Sequence, residues 1–217
     1  MTTTRTASPA TRTVRWLGIV LALEVVGLVI ATVAQDPAAR PVSAALGDAA
    51  RETVSQVDVR WALVVVVALA AVARLVAARL SSWLDPLLTI PVTLFVVAQL
   101  NGITDLGALV GVYALASAGV LLAALDARVD VVHGHPRLPL CFAAAVGIVP
   151  WGIVAFHQVG AGIVGHPLSG IAVVVTLVAL VFAVAEFVAV WRRAGVVALI
   201  LRLAGFSAVA WLVVAGL

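Results

Sequence analysis

Seven long apolar segments follow one another along the chain, separated by short stretches that carry polar residues, glycine or proline. Each segment is close to the roughly 20 residues that an α-helix needs to cross a bilayer. The pattern therefore predicts a bundle of seven transmembrane helices, at about 14–35, 59–79, 83–101, 104–125, 139–158, 167–190 and 195–217.

The remaining stretches are short, with two exceptions. Residues 1–12 are rich in Ser and Thr and lack apolar periodicity, which predicts a disordered cytoplasmic tail ahead of a single membrane domain at 13–217. The connection 36–58 is predicted as a long outer loop, in which 42–54 forms a surface helix. Asn101-Gly102 predicts a tight turn, with Thr104 as the N-cap of the next helix.

Composition supports an all-α integral membrane protein. The chain is 64% hydrophobic and 11% charged, whereas a soluble domain carries roughly 25% charged residues. The expected partner is the lipid bilayer, and the expected location is the cell membrane, crossed several times. The basic isoelectric point reflects arginines in loops, so no nucleic-acid partner is expected.

Arginine placement predicts the orientation of the bundle, because loops on the cytoplasmic side carry an excess of basic residues. With the N-terminus cytoplasmic and the C-terminus extracellular, eight arginines lie inside and three outside. The inner set is Arg5, Arg12, Arg15, Arg79, Arg128, Arg137, Arg192 and Arg193; the outer set is Arg40, Arg51 and Arg60.

One continuous stretch carries a family resemblance. Residues 83–111 read WLDPLLTIPVTLFVVAQLNGITDLGALVG, and 147–151 read GIVPW. With Ser207-Ala208-Val209-Ala210-Trp211 near the end, these segments resemble helices 3, 4, 5 and 7 of the heliorhodopsins, which are rhodopsin-like seven-helix proteins. The resemblance implies a rhodopsin fold with inverted topology, which agrees with the orientation predicted from arginine, and it implies a homodimer.

Two positions depart from what the resemblance implies. The family holds retinal on a lysine of the seventh helix, and the equivalent position here is Phe206; the chain contains no lysine. Covalent retinal is therefore excluded, because a Schiff base needs a primary amine. The glutamate counterion of the family is equivalent to Asp85, and Trp151, Phe206 and Trp211 are the candidate residual pocket.

Four ionisable residues fall inside the predicted spans at a similar depth: Arg74, Asp85, Glu186 and Arg202. Because an isolated charge in a bilayer is costly, mutual pairing is expected. One hypothesis pairs Arg202 with Asp85, where Arg202 replaces the charge of a Schiff base, and Arg74 with Glu186. The alternative is that Arg202 extends to the inner interface while Asp85 caps its helix.

The other candidate sites carry weaker signals. Glu24 is either a proton-relay residue or an acid hydrogen-bonded to a neighbouring helix. His133 and His135 lack further ligands nearby, so no metal site is predicted. Gly107 and Gly111 predict close helix packing within the chain.

No nucleophile–base pair or phosphate loop is present in the sequence, so the protein is not expected to be an enzyme. The first functional hypothesis is a heliorhodopsin-like interaction or regulatory protein with an unknown protein partner. The alternative is a noncovalent binder of retinal, a carotenoid or a lipid in the residual pocket. A transporter or channel is the third. A cavity beside Phe206 that is large enough for a polyene favours the binder, and a filled core favours the interaction protein.

Overall fold

A computed structural model describes residues 9–45, 50–76, 83–129 and 137–217 of the chain, and within these ranges it contains seven helices and one β-hairpin. The helices are α1 (Pro9–Val33), α2 (Val59–Val76), α3 (Leu84–Leu100), α4 (Leu106–Val129), α5 (Leu138–Ile163), α6 (Gly170–Trp191) and α7 (Gly195–Gly216); the strands are β1 (Ala39–Ala44) and β2 (Glu52–Asp58). Each predicted helical segment coincides with one of these helices.

The described helices form a multi-pass membrane bundle. Six of them, all except α3, are long and apolar enough to cross a bilayer, whereas α3 has 17 residues. Large apolar side chains cover the outer surface, with Phe156 82% and Leu23 69% exposed. Such a surface would be a liability in water, but it is the ordinary outer face of a helix in lipid.

The bundle has α2, α3 and α7 nearest its centre. Helices that are neighbours in sequence pack side by side from α1 to α5, α6 packs on α7, and α7 closes the bundle against α1 and α2. Helix α3 reaches both α5 and α6. α5 and α6 are the exception among sequence neighbours, because they pack only weakly on each other.

The close helix contact predicted at Gly107 and Gly111 is wrong. A Cβ atom added at Gly111 would meet no atom within 4 Å, and one at Gly107 would meet only the side chain of Asp105. α4 instead approaches α5 at Gly119, where an added Cβ would lie 3.5 Å from the carbonyl oxygen of Ala143. The prediction rested on the spacing of the two glycines, but their spacing does not determine whether the helix face that they share is turned toward another helix.

The surface helix predicted over 42–54 is also wrong, because its described residues lie in an antiparallel hairpin. β1 pairs with β2 from Ala39 opposite Asp58 to Ala44 opposite Glu52, with a register shift after Val42. β2 carries the β-branched residues Thr53, Val54 and Val57, which favour extended backbone. The alanine content of the loop outweighed this signal in the prediction.

The hairpin is attached to the turn between α3 and α4. The backbone N–H of Ser43 donates to the carbonyl of Thr104 at 2.8 Å, and Arg51 pairs with Asp105 at 3.1 Å. Asp105, rather than Thr104, caps α4, since its Oδ1 accepts from the N–H of Ala108 at 2.9 Å. The predicted turn at Asn101-Gly102 is confirmed, with Gly102 at a φ of 80°.

The prediction of a disordered tail over residues 1–12 is wrong for residues 9–12. Helix α1 begins at Pro9, so residues 9–12 are helical. Proline is well suited to the first turn of a helix, where its missing N–H has no partner to lose. Residues 1–8 lie outside the described part of the chain.

Candidate functional site

Arg74, Asp85, Glu186 and Arg202 lie together in one cluster, which we call the charge cluster. Arg74 stands in the last turn of α2 and Asp85 in the first turn of α3. Glu186 lies near the end of α6, and Arg202 lies two turns into α7. The cluster therefore joins four helices at one end of the bundle.

The contacts form two hydrogen-bonded ion pairs joined by a longer one. Arg74 Nη2 donates to Asp85 Oδ2. Arg202 Nε donates to Glu186 Oε1 at 2.7 Å, and Arg202 Nη2 lies 2.5 Å from the same oxygen in the ion pair. Nη1 of Arg202 lies 3.9 Å from Asp85 Oδ2, which is within ion-pair range but beyond a hydrogen bond. Through this third contact the α2–α3 pair and the α6–α7 pair become one network.

This pairing differs from the one expected from the sequence. Asp85 takes its hydrogen bond from Arg74, and Arg202 is its second, more distant cation. Glu186 is bonded to Arg202, so the expected pair between Arg74 and Glu186 is replaced. Residue counting gave the depth of each charge, but the direction of each side chain around its helix decides the partner.

Helix ends and burial explain why these charges are tolerated. A carboxylate at the start of α3 and a guanidinium at the end of α2 both complement the helix dipole. The side chain of Asp85 is 6% exposed, and those of Arg74, Glu186 and Arg202 are 12–15% exposed. Two positive and two negative charges give a net charge of zero, so each is neutralised within the membrane bundle.

A cavity of about 210 Å³ adjoins the charge cluster. Helices α3 to α7 all contribute to its walls, which are mainly apolar. Trp151 and Phe206 lie on its surface, and Glu186 and Arg202 form its polar end. Since an engineered apolar cavity of roughly 150 Å³ holds a benzene molecule, this space is large enough for a small ligand.

The position of the cavity follows from the weak packing of α5 on α6. These two helices make few contacts with each other beside the cavity, and each lines it along several turns. Near the start of α5 they are joined by Arg137, whose guanidinium lies 5.1 Å from the ring centre of Trp191.

The other predicted site residues are placed elsewhere. Trp211, expected in the residual pocket, does not line the cavity; its ring packs beside Gly27 of α1, 3.5 Å from where a Cβ would stand. Glu24 accepts a hydrogen bond from Ser207 of α7 at 2.7 Å, so α1 is joined to α7 at this level. His133 and His135 lie outside the described residues.

A second polar group, centred on Asn101, was not singled out from the sequence. Asn101 is fully buried, and its Nδ2 donates to Thr176 Oγ1 and to the carbonyl of Val97, both at 2.7 Å. Its Oδ1 accepts from Gln158 Nε2 at 2.6 Å. The side chain therefore joins α3 to α5 and α6. The only sequence signal was an amide at the end of an apolar run, where Asn-Gly reads first as a turn.

Comparison with known proteins adds no relative: no protein-family model matches the chain, and a search of curated proteins finds no match. The heliorhodopsin resemblance thus rests on the sequence segments of α3, α4, α5 and α7 and stays a prediction.

Proposed function

We propose that this multi-pass membrane protein binds one small apolar ligand noncovalently in the cavity lined by helices α3 to α7. In this proposal it is a heliorhodopsin-like protein that has lost covalent retinal binding. The observation that carries the proposal is the cavity of about 210 Å³ beside Trp151 and Phe206. A cavity at this position is the feature that separates a ligand binder from a protein acting only through its surface.

Cavity size selects among the ligands considered. By proportion to the roughly 150 Å³ that hold benzene, the space encloses a chain of roughly eight or nine carbons. A carotenoid is far larger, and retinal would have to extend out between α5 and α6. A single aliphatic or isoprenoid chain, entering from the lipid between the weakly packed helices α5 and α6, therefore fits best.

A substitution that fills the cavity tests the proposal. Gly147 lines the cavity, and a Cβ added there meets no atom within 4 Å, so Gly147→Leu has room for its Cβ and would extend its side chain into the space. Gly152→Leu is the matched control, because it is on the same helix, is equally unobstructed and does not line the cavity. We expect Gly147→Leu to reduce binding of a nine-carbon chain at least about tenfold and Gly152→Leu to leave it unchanged.

Binding is measured with the protein in nanodiscs, as ligand retained above that in empty nanodiscs of the same lipid. Equal retention by the natural protein and both variants would contradict the proposal. That result would favour the hypothesis of an interaction or regulatory protein, with a protein partner that the sequence does not identify. A homodimer, implied by the resemblance, would then be the first assembly to examine.

The same proposal places the N-terminus in the cytoplasm and the C-terminus outside the cell membrane. Eight inner arginines against three outer ones support this orientation. In a Cys141→Ala background, which removes the one native cysteine, an impermeant maleimide should label Ser55→Cys in intact cells. It should label Arg192→Cys only after permeabilisation. Both positions are exposed, so accessibility to the reagent depends on the side of the membrane. The reverse labelling pattern would contradict this orientation and indicate that the N-terminus lies outside.

A further inference from the structure

The polar end of the cavity has unused hydrogen-bonding capacity of both kinds. Glu186 uses Oε1 for both of its contacts with Arg202, a hydrogen bond from Nε and an ion pair with Nη2. In the described part of the chain no hydrogen bond engages its Oε2. Nη1 of Arg202 has only the 3.9 Å approach to Asp85, so it has capacity to donate. Both side chains line the cavity, so an acceptor and a donor belong to the same polar end of an apolar space.

From this arrangement we infer that the ligand is an alcohol, an aliphatic or isoprenoid chain that ends in a hydroxyl group. The inference rests on the proposed function and names the ligand class for that site. A hydroxyl is the simplest head group that both donates and accepts. It donates to Oε2 of Glu186 and accepts from Nη1 of Arg202, while its chain fills the space between α3 and α7.

Charge balance separates an alcohol from a fatty acid. The charge cluster is neutral, with two arginines and two carboxylates. A carboxylate head would add a fifth charge directly beside Glu186, in an environment with little water to screen the repulsion. An ether or aldehyde head adds no charge but cannot donate, which leaves Oε2 of Glu186 unmatched. Only the alcohol satisfies both groups.

The ion pair of Glu186 and Arg202 then has two roles. It holds α6 to α7, and it recognises the head group of the ligand. The role in recognition makes a prediction that a purely structural ion pair does not: changing the charge of Glu186 should change which ligand is preferred, rather than only weaken binding of all ligands.

The experiment compares three chains of nine carbons, 1-nonanol, 1-methoxyoctane and nonanoate, with the protein in nanodiscs at a mildly alkaline pH that keeps the acid ionised. Specific binding is the amount in excess of the Gly147→Leu variant. We expect the natural protein to prefer nonanol to nonanoate by about tenfold or more and also to prefer nonanol to the ether. In Glu186→Gln the cluster gains a net positive charge, and the unused acceptor oxygen is replaced by an NH2 donor. Nonanoate should therefore become the tightest of the three, and the preference for alcohol over ether should vanish.

Asp85→Asn is the matched control, because it changes the cluster charge equally but Asp85 does not line the cavity. It should keep the preference for alcohol over ether. Nonanoate binding as tightly as nonanol to the natural protein, or an unchanged order in Glu186→Gln, would overturn the inference while the cavity proposal stands. No specific binding of any chain would refute both. If Glu186→Gln or Asp85→Asn fails to fold, the order of the three chains in the natural protein still decides the matter.

Discussion

Replacing Arg202 by methionine is expected to destabilise the folded bundle by about 3–5 kcal/mol, the largest effect of any single substitution considered. Methionine keeps much of the side-chain volume, so the change removes charge and hydrogen bonds more than packing. Glu186 would lose its hydrogen bond and its ion pair with Arg202 and remain as an uncompensated charge that is 15% exposed. The penalty comes from this orphaned carboxylate, because burial leaves it poorly solvated.

A second substitution should recover most of the loss. In Arg202→Met, Glu186→Leu neither member of the pair remains, and replacing a buried ion pair by apolar groups of similar size is often nearly neutral. The measurement is the free energy of unfolding in mixed micelles for the natural protein, both single variants and the double variant. The coupling in this cycle is the quantity of interest, because it isolates the pair from changes in packing.

The exposed pair of Arg51 and Asp105 is the control for this experiment. Their side chains are 58% and 38% exposed, and they hold the hairpin against α4. Arg51→Ala should cost only about 0–1 kcal/mol, as measured for surface ion pairs in general. If Arg202→Met were as mild as Arg51→Ala, the charge cluster would be solvated and would not act as a buried network.

How much of this arrangement was predictable depends on the kind of information that each feature needs. The helices were predictable because the length and polarity of a segment are properties of the sequence alone. The common depth of Arg74, Asp85, Glu186 and Arg202 was predictable for a related reason, since rise per residue is fixed in a helix. Their pairing was not, because it depends on how four helices are rotated about their axes.

The rotation of a helix about its own axis also explains why the predictions for Trp211 and for the Gly107 and Gly111 pair were wrong. Trp211 was assigned to the pocket by the family resemblance, but it lies five residues after Phe206 along α7, which places the two side chains on different faces. Gly107 and Gly111 have the spacing of a packing motif, but a Cβ atom added at either would meet no other helix of the described chain within 4 Å. In both cases the helix was predicted correctly and the direction of its face was not.

The hairpin could not be predicted with the rules that predicted the helices. Its stability comes from attachment to the turn after α3, through Ser43 and Thr104 and through Arg51 and Asp105. Such contacts join residues more than fifty positions apart, and local propensity carries no information about them. The alanine-rich composition favoured a helix, and the tertiary contacts overrode that preference.

Replacing Asn101 by leucine is expected to lower the free energy of unfolding by about 1–3 kcal/mol, the second-largest effect. The two side chains are similar in volume, so the change tests hydrogen bonding more than packing. Thr176 Oγ1 and Gln158 Nε2 would both lose the partner that joins their helices to α3. Gln158 is partly exposed and can turn to another partner, whereas Thr176 is 6% exposed and keeps only its bond to the carbonyl of Ala172.

Two threonine-to-valine substitutions calibrate this effect. Thr176→Val removes one interhelical bond and should cost about 0.6 kcal/mol and at most about 1.7 kcal/mol, the average and the maximum measured for such bonds in a membrane bundle. Thr89→Val removes a hydroxyl that bonds only within its own helix, to the carbonyl of Asp85 at 2.8 Å, and should cost less. The order Asn101→Leu, Thr176→Val, Thr89→Val follows if bonds between helices hold α3 to α6. Equal losses in all three would mean that these hydroxyls and amides only satisfy local backbone groups, and that packing alone positions α3 beside the cavity.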